Sequence, residues 1–185
     1  MIVACDGAIN NLITLALVPD YIIGDGDSVG VIPPSAAKNP YIYIGDQNTN
    51  DLTKAINLLA QKFPATSAVV IFGASGLRED HSLANIALLR QYSLIFPKIV
   101  MLSDYGVFRV CPAGTSYLPS YNGQQLSFFS CASTTQISCP NLKWPLVAMQ
   151  FNHLNSGTLN QATAPQLTLE TTAPILVYQA FEIRS

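Results

Sequence analysis

Tyr21-Ile22-Ile23-Gly24-Asp25-Gly26-Asp27-Ser28 joins a short apolar run to a turn that carries two carboxylates. The apolar run predicts a buried strand, and Gly and Asp are typical of the turn that ends it. In α/β proteins, ligands bind at the carboxyl ends of strands, so the stretch indicates an α/β fold with acids at a ligand site. Asp25 and Asp27 are two residues apart, which points both side chains to the same side of extended backbone.

Three further polar clusters in the first half of the chain also follow or border apolar runs. They are Cys5–Asn10, Asp46–Asp51 and Gly73–His81. Only 11% of the residues are charged, yet most of the Asp lies in these clusters and the Gly24–Asp27 turn. Acids that cluster without bases indicate a divalent cation as the missing positive charge, and a phosphorylated ligand that shares it.

The first hundred residues alternate between short apolar runs and amphipathic segments. The runs predict strands at residues 2–5, 21–23, 41–44, 68–72 and 99–102. Apolar residues at helical spacing predict helices at residues 10–17, 51–62 and 82–92. Strands that alternate with helices in this way indicate a largely parallel sheet covered by helices.

After about residue 104, helical periodicity gives way to short β-like segments separated by Pro, Gly, Ser and Asn. The segments are residues 107–110, 125–129, 134–137, 142–147, 166–170 and 175–181. The predicted fold class is therefore an α/β N-terminal domain, with a mostly parallel sheet and flanking helices, followed by an all-β sandwich. We assign residues 1–110 and 111–185 to the two domains.

Composition excludes several classes of protein. Hydrophobic content of 49% gives ample material for a core, and the net charge of −2 gives no basic surface for nucleic acid. No apolar run is long enough to span a membrane, and no basic leader precedes the first apolar residues. Cys5, Cys111, Cys131 and Cys139 show no metal-binding spacing, so we expect reduced thiols and a cytoplasmic location.

The acidic clusters each allow a structural and a functional interpretation. The Gly24–Asp27 turn is either an ordinary turn or a magnesium site, since Mg²⁺ takes one or two carboxylates together with phosphate oxygens. Asp51 either stabilises the start of a helix or acts as a third metal ligand or a base that faces the substrate. Gln47 and Asn50 are neutral groups suited to reading a nucleobase or a hydroxyl.

The Gly73–His81 cluster lies between a predicted strand and a predicted helix, where backbone N–H groups bind phosphate. Arg78 is either a bidentate phosphate ligand or a solvated surface residue. Asp80 is suited to capping the helix, and His81 to a polar role at its start. The sequence contains no P-loop, dinucleotide fingerprint, zinc pattern or nucleophile elbow. The interpretation that remains is metal-assisted phosphoryl chemistry that uses no P-loop.

Taken together, the motifs resemble those of the thiamine pyrophosphokinase (thiamine diphosphokinase) family. Its D-G-G-A-N, G-D-x-D-S, D-x-x-x-T-D and G-x-x-G-G-R-x-D-H-x-x-x-N segments occur here in the same order. They correspond to Asp6–Asn10, Gly24–Ser28, Asp46–Asp51 and Gly73–Asn85. The later Asn141–Leu146 segment is similar to the family's G-L-K-[YW]-x-L motif, so the resemblance covers nearly the whole chain.

The resemblance implies a transferase that moves a pyrophosphoryl group from ATP to the hydroxyl of thiamine and releases AMP. It implies Mg²⁺ as cofactor and a homodimer with the thiamine pocket at its interface. By matching positions, Asp25, Asp27 and Asp51 are expected to be catalytic and to hold Mg²⁺, with Asp51 also near thiamine. Asn160 is expected at the thiamine pocket. The residues expected on the ATP side are Gln47, Asn50, Arg78, Asp80 and His81.

The chain also departs from the family pattern. The family has a further strand and helix before D-G-G-A-N, whereas Met1 stands only five residues before Asp6. Substituted motif positions are Ala8, Ile9, Asn50, Leu77, Glu79 and Leu159, the last in place of a serine expected near thiamine. Two alternatives to an active kinase follow: a non-catalytic thiamine- or nucleotide-binding module on the same fold, and a metal-dependent nucleotide phosphohydrolase that would need an activated water.

Overall fold

The computed structural model describes residues 1–29, 36, 38–130 and 132–181. The chain divides into two compact units, Met1–Ala65 and Thr66–Ser185.

Unit 1 is a small parallel sheet with helices. Its elements are β1 (Val3–Cys5), α1 (Ala8–Thr14), β2 (Tyr21–Gly24), β3 (Ile42–Tyr43) and α2 (Asp51–Lys62). The strand order is β1-β2-β3, and both pairs are parallel. Ala4, Ile9, Ile22 and Ala36 form a buried core. Because parallel strands end at the same edge, the polar residues that follow β1 and β2 are brought together.

Unit 2 begins with a strand, a helix and a strand, and continues as β-structure. Its elements are β4 (Ala68–Phe72), α3 (Glu79–Ile95), β5 (Lys98–Leu102), β6 (Gly106–Cys111), β7 (Gly114–Pro119), β8 (Gln125–Phe129), β9 (Gln136–Cys139), β10 (Leu146–Gln150), β11 (Gly157–Gln161), β12 (Gln166–Thr171) and β13 (Ile175–Ala180).

Two sheets form the sandwich of unit 2. One has the order β11-β8-β13-β6-β5-β4 and the other β10-β9-β12-β7. β4 and β5 are parallel, whereas β5 pairs with β6 in antiparallel orientation, so both strands extend the larger sheet. Phe128 and Val177 of this sheet belong to the same buried cluster as Ile137, Leu167 and Leu169 of the smaller one. The α/β segment followed by a β-sandwich confirms the predicted fold class.

Three of the four cysteines lie within the described residues, and all three are free thiols. Burial raises the pKa of the Cys111 and Cys139 thiols to about 11. Such groups remain protonated and unreactive at neutral pH. Cys131 lies outside the described residues. None of the described helices is long and apolar enough to cross a membrane.

Candidate functional site

The carboxyl ends of β1 and β2 place Asp6 beside the Gly24–Asp27 turn. Cys5 is paired with Ile23 in the sheet register, and the Asp6 N–H donates to the Ile23 carbonyl at 2.8 Å. Asp6 has a left-handed backbone conformation, with φ of 36°, which Asp tolerates better than most residues. Only 3% of Asp6 is exposed, so its carboxylate is held at the end of the strand.

Three acids meet at this edge. Asp6, Asp25 and Asp27 each offer a carboxylate oxygen, and these oxygens all lie within 4.8 Å of one another. Gly24 makes the approach possible, because a Cβ at this position would lie 2.8 Å from the Cβ of Asp6. Hard oxygen donors in this number and spacing fit Mg²⁺, which accepts carboxylates and retains further positions for water and phosphate.

Hydrogen bonds fix the orientation of each carboxylate in the acidic cluster. Asp6 accepts from the Ser28 N–H and from the Tyr41 hydroxyl, both at 3.1 Å. The Gln47 side-chain amide donates to Asp25 Oδ2 at 2.8 Å. The Ser28 hydroxyl donates to Asp27 Oδ1 at 2.6 Å. These bonds hold the three carboxylates in defined orientations at the ends of β1 and β2.

The electrostatics of the acidic cluster favour a cation. Burial raises the pKa of Asp6, and the nearby Asp27 and Asp51 carboxyl groups raise it further. The hydrogen bond from Gln47, followed by that from the Asp27 N–H, lowers the pKa of Asp25. Burial thus makes Asp6 harder to ionise, while hydrogen bonds favour the ionised form of Asp25.

Asp51 is placed differently from Asp25 and Asp27. Helix α2 is capped by Asn50, whose Oδ1 accepts from the Thr53 N–H at 2.9 Å, and Asp51 lies in the first turn. The Asp51 carboxylate accepts from Lys54 Nζ at 2.9 Å. In the part of the chain that the structure describes, Asp6 rather than Asp51 completes the close group of three acids. Sequence reasoning missed Asp6, although it follows the first predicted strand.

The Gly73–Arg78 loop of unit 2 leads from β4 into α3. Gly73 and Gly76 have positive φ values of 65° and 95°, and a Cβ on either would meet no described atom within 4 Å. The loop therefore presents backbone to open space. The Asn85 side chain donates to the Ala74 carbonyl at 2.9 Å and fastens the loop to the helix.

Arg78 and Asp80 form a bidentate ion pair at the start of α3. Arg78 Nε and Nη2 donate to the two carboxylate oxygens at 3.1 and 2.6 Å, and the side chains are 72% and 61% exposed. The expectation that Asp80 caps the helix is wrong: Arg78 occupies the N-cap position, and Asp80 lies within the first turn. Asp80 instead accepts from the His81 N–H at 2.9 Å.

A groove of about 540 Å³ lies beside the loop. Its walls include the loop glycines and several aromatic side chains, of which Phe72 and Tyr105 are largely exposed. The lining residues that matter here are Phe72, Gly73, Gly76, Asp104, Tyr105 and Phe181. An aromatic groove next to a glycine loop suits a flat ring attached to a phosphate chain.

Asp80 supplies a testable prediction about the ion pair. Arg78, followed by the His81 N–H, lowers the pKa of Asp80 to about 2. Any stability that the carboxylate contributes is therefore present above its ordinary pKa of 3.8 and is lost as the pH falls towards 2. In an NMR titration of the side-chain carboxyl, Arg78→Met should raise the pKa of Asp80 towards 3.8. An unchanged titration would contradict the ion pair.

Asn160 lies in β11 and is 6% exposed. Its Oδ1 accepts from the N–H groups of Gln161 at 2.8 Å and Trp144 at 3.3 Å, and its Nδ2 donates to the Trp144 carbonyl at 2.8 Å. Trp144 itself is 56% exposed, and Lys143 Nζ lies 4.9 Å from the centroid of its ring. Asn160 thus holds the backbone of an exposed tryptophan that sequence reasoning had placed only in a motif.

Two family models match the chain in succession. The model described as thiamin pyrophosphokinase, catalytic domain, matches residues 1–101, and the one described as thiamin pyrophosphokinase, substrate-binding domain, matches residues 106–178. Among curated proteins of Oryza sativa subsp. japonica, thiamine pyrophosphokinase 2 is 29% identical over 174 residues, covering 86% of this chain and 64% of the relative. Thiamine pyrophosphokinase 1 is 34% identical over 98 residues, covering 46% and 35%.

Solved structures agree on the fold. Thiamin pyrophosphokinase from Candida albicans superposes with a TM-score of 0.82 at 16% identity, covering 97% of this chain and 81% of that one. The enzyme from Bacillus subtilis gives 0.79 at 22% identity, covering 96% and 86%. The chain spans less than two thirds of the length of the two rice relatives. On the match to both family models, the chain belongs to the thiamin pyrophosphokinase family.

Proposed function

We propose that this protein is a thiamine diphosphokinase, which transfers the pyrophosphoryl group of ATP to the hydroxyl of thiamine and yields thiamine diphosphate and AMP. The observation that carries the proposal is the convergence of Asp6, Asp25 and Asp27 within a segment that matches the family's catalytic model. A binding module that performs no chemistry has little need of three acids held this close.

Mg²⁺ is the proposed cofactor. Asp25 and Asp27 would hold it, together with Asp6, while Asp51 remains a further candidate ligand from its position in the family motif. When bound, Mg²⁺ neutralises the charge that develops on the phosphoryl oxygens. The chain's own part is to keep the carboxylates in place, through the Tyr41, Gln47 and Ser28 hydrogen bonds.

The ATP side is proposed to include Gln47, Asn50, Arg78, Asp80 and His81. Arg78 supplies a planar pair of donors suited to phosphate oxygens. When ATP binds, these phosphate oxygens would replace the Asp80 carboxylate as the partner of Arg78. The groove beside the Gly73–Arg78 loop is proposed to take the adenosine part. Asn50 would then have two roles, because its Oδ1 also accepts from the Thr53 N–H and caps α2.

In the proposed reaction, the thiamine hydroxyl oxygen attacks the β-phosphorus of ATP. A new oxygen–phosphorus bond forms, the bond from the β-phosphorus to the oxygen that bridges it to the α-phosphorus breaks, and AMP leaves. No covalent enzyme intermediate is needed. Asp51, which is expected near thiamine from its position in the motif, is the candidate acceptor for the hydroxyl proton. Positioning and charge neutralisation supply most of the catalysis in such transfers.

Asn160 is proposed to act at the thiamine pocket by holding Trp144. The thiazolium ring of thiamine is a cation, and the Trp144 ring already has a cation over it in Lys143. We expect Asn160→Ala and Trp144→Ala each to raise the KM for thiamine by about tenfold, which corresponds to ~1.4 kcal/mol. The KM for ATP should stay unchanged. Trp144→Phe, which keeps an aromatic face, is the matched control, and an unaltered thiamine KM in both alanine variants would refute this role.

The direct test of the activity is AMP release from ATP and Mg²⁺, with and without thiamine, with thiamine diphosphate followed in the same samples. Thiamine-dependent AMP that matches thiamine diphosphate in amount supports the kinase. AMP or ADP released without thiamine would favour the phosphohydrolase. No product, with thiamine binding retained in calorimetry, would favour the binding module.

Three further features belong to the proposal. A homodimer with its thiamine pocket at the interface is expected, which sedimentation analysis would test. Residues 1–110 are proposed to serve ATP and Mg²⁺, and residues 111–185 thiamine. A cytoplasmic location is expected, which cell fractionation would test.

A further inference from the structure

Lys54 is a buried lysine in the first turns of α2. Only 4% of the residue is exposed, whereas lysine side chains normally keep their ammonium group in water. An ammonium group held in this way is costly unless it is paired and hydrogen-bonded. Its partner is Asp51, at 2.9 Å, whose side chain is 27% exposed. The lysine is therefore buried while the acid keeps one side open to solvent.

The Lys54–Asp51 pair lies on a helix that packs near the acidic residues of unit 1. Helix α2 packs against β1 and β2, the two strands whose ends carry Asp6 and Asp25. Besides Asp51, the carboxylates of Asp25 and Asp46 act on Lys54 electrostatically. The ammonium group of Lys54 thus contacts one carboxylate of the unit and acts on others at longer range.

The backbone of Lys54 is also held at the start of α2. The Lys54 N–H donates to the Asn50 carbonyl at 3.1 Å, in the turn that the Asn50 side chain caps. Lys54 and Asp51 are three residues apart, so they lie on one face of this turn. Exposed pairs of this kind are weak and mobile, but burial of the lysine removes that freedom.

We propose that Lys54 is a positioning residue for the transfer reaction: its buried ammonium group orients the Asp51 carboxylate. The inference rests on the proposed kinase activity and goes beyond it by assigning a role to a residue outside the proposed ligand sets. Lys54 acts through Asp51, so its contribution should vanish when Asp51 can no longer be oriented.

The test compares Lys54→Met with Lys62→Met, which removes an exposed lysine from the last turn of the same helix. We expect Lys54→Met to lower kcat by about 100-fold, the scale of a small misplacement of a reacting group, and Lys62→Met to change it by less than about twofold. Lys54→Arg, which keeps the charge, should recover part of the loss. Melting temperatures and Mg²⁺ binding by calorimetry are measured on each variant.

A double variant separates positioning from packing. In an Asp51→Asn background, Lys54→Met should lower kcat by less than about threefold, because coupled residues are not additive. An undiminished 100-fold loss there, or wild-type activity in Lys54→Met, would overturn the inference. Should Lys54→Met fail to fold, Lys54→Gln enters the same comparison with the same expected outcomes. An inactive wild-type protein would instead count against the proposed function.

Discussion

Asp27→Asn is expected to lower kcat by about 10²- to 10³-fold while leaving the fold intact, the scale seen when one preorganised electrostatic group is removed from an active site. Asp27 is one of the three clustered carboxylates, and it is exposed. Its side chain accepts a hydrogen bond from the adjacent Ser28 hydroxyl. The substitution keeps shape and volume, so the loss would come from charge.

The measurement is thiamine-dependent AMP release across a Mg²⁺ titration, together with a thermal melt. Glu170→Gln is the matched control, since it removes an exposed carboxylate from β12 of unit 2. A higher Mg²⁺ requirement in Asp27→Asn alone would support the ligand role. Activity within about threefold of the wild type, at the same Mg²⁺ concentration, would rule out Asp27 as a required ligand; the threefold limit lies far below the loss expected for an essential group.

The elements that could be predicted from the sequence are those whose burial follows a local pattern. Helix α2 and strands β4 and β8 have the predicted bounds. Local sequence is sufficient for them, because α2 has apolar residues at helical spacing, β4 is a continuous apolar run and β8 is a short β-like segment between turn residues. Helix α3 is longer than predicted, and it buries Leu89 and Tyr92 while Leu83 remains 65% exposed.

Strands β7 and β11 could not be predicted, because long-range pairing rather than local pattern produces them. β7 pairs with β12, so that Leu118 lies opposite Leu167. β11 pairs with β8 through an irregular register between Gly157 and Asn160, and Leu159 has a φ of 60°. A left-handed residue and a bulge break the alternation from which a strand is predicted.

The residues of the candidate site also fall into two groups: those that local sequence identifies and those that only the fold brings into place. Asp25 and Asp27 could be identified from a two-residue spacing, which is a local property. The contribution of Asp6 depends on the register of β1 against β2, which places Cys5 opposite Ile23. The burial of Lys54 and the bonds from Asn160 to Trp144 likewise depend on tertiary packing. The sequence shows that these side chains are polar, but which groups they contact is determined by the fold and could not be predicted.

Gly24→Ala is expected to reduce both stability and activity. The new Cβ would lie 2.8 Å from the Cβ of Asp6 and 2.9 Å from its Cγ, and Asp6 is itself buried. Neither atom is the far end of a flexible side chain, so relief requires backbone movement at the ends of β1 and β2. Overpacking of this kind costs about 1–3 kcal/mol of unfolding free energy. Because Asp6 must move, we expect kcat to fall by at least about tenfold as the acidic cluster separates.

Gly45→Ala separates this clash from the general effect of adding a methyl group near the site. Its Cβ would also make a close contact, at 2.9 Å, but with the hydroxyl of Tyr43, the tip of an exposed side chain that is free to turn away. We therefore expect Gly45→Ala to keep the wild-type melting temperature and kcat. Equal behaviour of the two variants in denaturant unfolding and AMP release would show that Asp6 is not held against Gly24. A loss confined to Gly24→Ala would show that the close approach of β1 and β2 places the Asp6 carboxylate, because the three atoms nearest to the new Cβ all belong to Asp6.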